Sequence, residues 1–333
     1  GTTTIDDLLI VNEGLTINTT SLALGSSAST CSQYNFCDDE IGIAIGNQAD
    51  VESNVGIAIG YDSTASSQYS IALGYESDAG DSGNDAIAIG RRSVAVEQGL
   101  ALGSLANAGT TGSAAFGYDA DASGEYAIAI GNESEASGNY SLAAGEGATA
   151  AGNAATVMGV GASGAAADSI AIGSTALARE DADESTALGH FARTLGDNAI
   201  AIGADSTAGH NNGSKADGIA IGHSSTSTGA GAIAFGKSSV SSGTNSIAIG
   251  KEAGATRNNS LAIGYGSSAS ENQSIAIGDN AFAQHENSVA IGYMAQTSAI
   301  NQIVLGAGDQ TTTIHGGANV DNIQIGITGD NTI

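Results

Sequence analysis

The 333-residue chain has 49 glycines, neither proline nor tryptophan, and only 4% aromatic residues, a composition that excludes an ordinary globular core packed with large side chains. Thirty-five acidic residues against eight basic ones give a formal charge of −27, which repels nucleic-acid phosphates and anionic membrane surfaces alike. No run of about twenty apolar residues occurs, so no direct membrane insertion is expected of this segment. It starts at Gly1 without a charged-then-apolar leader, so any export signal or anchor is expected to lie outside it.

Residues 1–20, with TTTIDDLLIVNEGLTI, follow no repeat and read as an N-terminal cap or connecting β segment. Cys31 and Cys37 follow in CSQYNFC, too few for a zinc site and without a nearby histidine. A small disulfide loop is the expected reading, with two free thiols as the alternative; a disulfide implies an oxidising compartment.

From residue 21 to 306 a motif of the form S-I-A-I-G dominates. Its closing glycines run from Gly25, Gly46, Gly60, Gly74 and Gly90 to Gly278, Gly292 and Gly306, and fourteen of the nineteen spacings are 14 residues. Fourteen residues are too few for a helical hairpin, but they hold two strands of about four to five residues and two tight turns, one coil of a β-solenoid. The expected fold is therefore all-β, a solenoid of about twenty coils. Ile247 and Ile249 alternate with Ser246 and Ala248 at the period of a strand, and small residues recur three and five places after each glycine, as in Ser134 and Ala136.

The volumes suggest large Ile, Leu and Val of the first strand packing inward against Ala and Ser of the second. The opposite face then carries Ala44, Ala58, Ala72, Ala88 and Ala248 as a smooth seam along which subunits associate. Residues 307–333, beginning with a Thr-rich stretch, leave the period and read as a C-terminal β segment, cap or connector.

Candidate contact residues fall on the turns. Tyr61, Tyr75, Tyr118, Tyr265 and Tyr293 each follow a motif glycine, and Tyr69, Tyr126 and Tyr140 lie nine places after one. At the edge of a rod such rings either contact a partner or shield the turn. Four coils are longer than the period, and all four insertions (31–40, 80–85, 179–184 and 209–217) fall after the second strand. The edge that collects them is a candidate binding edge, with His210, Asn211, Asn212, Ser214, Lys215 and Asp217 in its second-longest coil as short polar groups suited to a hydroxyl-rich ligand.

The five histidines are dispersed, the scattered carboxylates have no cleft to share, and the calcium nonapeptide is absent; no catalytic residue, metal site or cofactor is expected.

The recurring SIAIG, SVAIG and NSIAIG followed by a small-x-small strand resemble the head domains of YadA-type trimeric autotransporter adhesins over residues 21–306. The resemblance implies a left-handed parallel β-roll, a homotrimer, and attachment to a host surface protein or glycan from a bacterial cell surface. The tail, with TTTI at 311–314 and NIQIG at 322–326, resembles fibre segments of phage virion proteins, so a phage tail fibre is the alternative, and a passive spacer a third reading.

Overall fold

Residues 247–260 show how fourteen residues close into a coil. The strand Ile247–Ile249 ends at Gly250, and the Ala253 N–H donates back to the Gly250 carbonyl at 3.2 Å, closing a β-turn whose third residue, Glu252, is left-handed at φ 59°. A two-residue strand, Gly254–Ala255, follows. A second turn of the same build has the Ser260 N–H donating to the Arg257 carbonyl at 3.2 Å and Asn259 left-handed at φ 54°; it leads into Leu261–Ile263 one coil on. The turns thus consume more of the repeat than two strands of four to five residues allow, and most long strands have only three.

The computed structural model describes residues 22–25, 27–30, 41–52, 55–80, 84–210 and 217–308; these contain no helix. Cys31 and Cys37 lie outside them, as do residues 1–20 and nearly all of 307–333. The described residues form a parallel β-solenoid of about 18 turns. Twenty long strands stack in one sheet and eighteen short strands in a second. Because the period is constant, like stacks on like: Ile247 pairs with Leu261, Ala248 with Ala262, Ile249 with Ile263, and Ala255 with Ala269.

The motif glycine is obligatory on two counts. Gly250 sits at φ 134°, which side chains rarely adopt, and a Cβ there would lie 2.4 Å from the carbonyl oxygen of Gly264 in the next coil.

Which face of the strand points inward is the reverse of the volume reading. Ala44, Ala58, Ala72, Ala88 and Ala248 are fully buried inside the roll, so they form its core and cannot be an external seam. The isoleucines flanking them face outward. A regular coil buries four small side chains, as with Ala253, Ala255, Ser260 and Ala262, and the largest fully buried side chains among the described residues are only Val51, Val157, Thr194 and Thr297, so the space between the two sheets is narrow.

The exceptions measure the limit. Val157 replaces the central alanine in one coil, and the residue opposite is Gly164, where a Cβ would stand 2.6 Å from Val157 Cγ2. Val51 likewise faces Gly42, whose missing Cβ would lie 3.4 Å from its Cγ1. One extra branch on one wall is offset by a lost methyl on the other, as expected of a close-packed interior. Most buried serines are satisfied locally, as where Ser260 Oγ donates to the Arg257 carbonyl at 2.6 Å and Ser246 Oγ to that of Gly243 at 2.7 Å, whereas the buried Ser141 hydroxyl has no partner among the described residues.

Candidate functional site

Reversal of the strand face creates the most extensive surface feature. Each of the twenty long strands presents at least two outward side chains, and none of these is charged; they are Ile, Leu, Val, Phe or Met except at Ala114, Ala144, Thr156 and Thr186. Ile59, Ile89, Ile130, Leu188, Phe235, Ile249 and Ile291 are 38–52% exposed. The strip is not level, since Ile43, Val55, Ile57, Ile71 and Tyr69 line a shallow apolar hollow in it. A chain with 13% charged residues that, among the described residues, keeps every one of them off these strand positions has a surface built to leave water. Alternation in the sequence marked these residues as a face, and the error lay in placing that face indoors.

Turns on either side of the strip make two edges. The motif-glycine edge brings together Tyr61 and Tyr75, whose rings stack at 5.2 Å and 11°. Arg92 donates to Glu76 beside them at 2.5 Å, and this hydrogen bond, with a second from Tyr75, holds the Glu76 carboxyl below the usual range. The bond to Glu76 raises the Tyr75 hydroxyl in turn. Further along, Lys251 Nζ stands 5.0 Å over the ring of Tyr265. Tyr118 and Tyr293 are exposed on the same edge.

The other edge carries the insertions, all of them between a short strand and the next long one, such as Thr207–Ala208 and Ile219–Ile221. The insertion at 179–184 folds on itself, with Arg179 Nε 3.4 Å from Asp181 Oδ1 and Ala182 buried beneath. Of the candidate binding residues, His210 and Asp217 are exposed, and Asp217 Oδ1 accepts from Asn198 Nδ2 at 3.3 Å. Asn211, Asn212, Ser214 and Lys215 lie outside the described residues.

A ladder that sequence reading missed runs along this edge. The Asn139 side-chain oxygen accepts the Glu125 N–H at 3.1 Å, Asn153 that of Asn139 at 3.1 Å, Asp183 that of Ala167 at 3.0 Å, and Asn258 that of Thr244 at 3.0 Å. Each rung takes up a turn N–H that no backbone carbonyl accepts, beside a backbone bond from the next coil to the same residue's carbonyl, such as Tyr140 N–H to Glu125 at 2.8 Å; Asn or Asp one coil after an exposed turn residue was the available signal.

The family model of the YadA head domain repeat matches residues 56–77, 111–134, 122–148, 181–206, 214–239, 227–253, 241–267, 255–281, 269–295 and 283–308, together more than half of the chain. The chain belongs to the YadA head repeat family. Among solved structures, the crystal structure of the collagen-binding domain of the Yersinia adhesin YadA is similar at 23% identity, covering 62% of this chain and 82% of that one, with a TM-score of 0.26. A comparison with curated proteins returns no match. In this YadA head the letters I-A-I-G therefore have separate duties: isoleucines outside, alanine in the core, glycine at the turn where coils touch.

Proposed function

We propose that the chain is the head of an extracellular adhesin that associates as a homotrimer and attaches a bacterial cell to a host surface protein or glycan. Membership of the YadA head repeat family carries the adhesive part of this reading. The charge-free aliphatic strip supports the self-association part. A ladder two side chains wide and about 90 Å long, from twenty strands at roughly 4.7–4.9 Å, is far more apolar surface than an isolated rod keeps in water. A second copy offers an identical ladder at identical spacing, so every rung finds a partner of its own kind. The alanine core leaves a single roll with little buried apolar area, and covering the strip offsets that deficit.

Attachment is assigned to the two edges, which association through the strip leaves free. The test is binding of the purified chain to cells, collagen, other matrix proteins and immobilised glycans. Shortening the coil that contains 209–217 by five residues, from 19 to the regular 14, is expected to keep fold and association while reducing attachment. Absence of attachment to every surface would overturn the adhesive reading and favour a spacer.

A further inference from the structure

The edge that bears the insertions places one left-handed residue per coil at its outermost point, and two successive coils put Tyr126 and Tyr140 there. Their rings lie 5.5 Å apart and 14° from parallel, so their faces look along the rod. Side chains at this position lean back over the preceding coil: a Cβ on Gly112 would stand 2.5 Å from Tyr126 Cδ1, and one on Gly231 2.8 Å from Asn245 Oδ1. Tyr126 therefore has one face over Gly112 and the other against Tyr140. The second face of Tyr140 has no ring against it. The next coil offers only the methyl of Ala154, the coil after that the carboxylate of Asp168, and Tyr140 is 64% exposed, more than any other described tyrosine.

Two coil steps separate Tyr140 from Asp168, roughly 9–10 Å, which accommodates one saturated six-membered ring laid flat on the tyrosine with Ala154 as the floor. Polar groups frame the gap. Asn139 and Asn153 are each anchored through the side-chain oxygen, which leaves both amide NH2 groups without an acceptor among the described residues. Among the described residues the Asp168 carboxylate takes no hydrogen bond, although its backbone N–H donates to the Asn153 carbonyl at 2.8 Å. An apolar face, two amide donors and an acceptor around one ring-sized gap match a sugar ring, with its C–H face and its hydroxyls. A bare cation would leave both amides unused, and an acidic sugar would meet Asp168 on a chain of net charge −27.

We propose that Tyr140, Ala154 and Asp168, with the amides of Asn139 and Asn153, form a subsite for a neutral hexopyranose unit. It names a ligand class for the adhesive reading above and rests on that reading for its biological purpose. A single open subsite binds weakly, with a dissociation constant on the order of millimolar, and repetition across associated chains raises avidity.

Saturation-transfer NMR and array binding of the full chain test it. One arm holds neutral oligosaccharides of the glycoprotein type and another neutral microbial polysaccharide fragments; sialylated and sulfated sugars and choline complete the panel. Binding in either neutral arm is expected, and which arm responds identifies the source. Tyr140→Ala, and Ala154→Phe, which fills the gap, are each expected to lose at least tenfold in binding with an unchanged melting temperature. No neutral sugar bound by wild type, a preference for acidic sugars or choline, or variants that bind like wild type would each overturn the subsite. Loss of sugar binding with attachment to matrix proteins retained supports the subsite and leaves the adhesive reading intact. Sugar binding by a wild-type chain that attaches to no cell or matrix surface removes the adhesive reading and not the subsite.

Discussion

Gly250 and Gly254 stand four residues apart and are expected to respond oppositely to alanine. At position 250 the added methyl meets the Gly264 carbonyl in a backbone conformation hostile to side chains, whereas at 254 nothing lies within 4 Å. Gly250→Ala should cost about 2–4 kcal/mol, and Gly254→Ala should stay within about 0.5 kcal/mol of wild type, read by thermal melting. The interior makes a second expectation. Gly164→Ala drives a methyl into Val157 and should cost about 1–3 kcal/mol, and adding Val157→Ala should recover most of it.

The same pair shows what the sequence left undecided at this scale. Alternation of Ile247, Ala248 and Ile249 defines two faces, and either could be the inner one by period alone. Only the residues opposite, small in nearly every coil and reduced to glycine where Val157 intrudes, reveal a space too narrow for isoleucine. On the motif-glycine edge, the Arg92 bond holds the folded-state pKa of Glu76 below its unfolded value. Its contribution is thus present at neutral pH and lost as pH falls through that lowered value. An NMR titration should find the Glu76 midpoint below the ordinary glutamate range; an ordinary midpoint would show that the pair is not held in solution.

At the scale of the element, the turns were legible and the strands less so. The glycine period located every long strand and the constancy of small residues located every short one, because both rest on local backbone chemistry. Their lengths were overestimated because a left-handed residue at each turn, such as Glu252 or Asn259, carries no fixed side-chain signature. The asparagine ladder was equally hidden, since its partners lie fourteen residues apart. It has a direct check: Asn258→Leu should leave the Thr244 N–H to water, speed its hydrogen exchange, and cost about 0.5–1.5 kcal/mol. Unchanged exchange at Thr244 would mean the rung contributes nothing. The insertion edge was recognised from sequence because a stack tolerates extra residues only where the chain can leave it, and the flanking strands bear out that common position.

For the molecule as a whole, the coil period led directly to the solenoid and its length, because parallel stacking repeats a fixed step. Small-angle scattering should find a rod with a repeat region about 90 Å long. The surface of the rod was harder to read, since inverting one strand assignment moves about forty side chains across the wall together. That inversion turns an expected alanine seam into an aliphatic one and makes association the central claim. Sedimentation of wild type beside a variant with both Ile249→Asp and Ile291→Asp tests it most directly. Both residues point outward, so the fold should survive, while buried unpaired carboxylates should break the contact. Wild type is expected at three times the 32.4 kDa chain mass and the variant at the single-chain mass, with the same circular dichroism. A wild-type chain that sediments alone, or a variant whose mass is unchanged from an associated wild type, would contradict the strip as the self-association face.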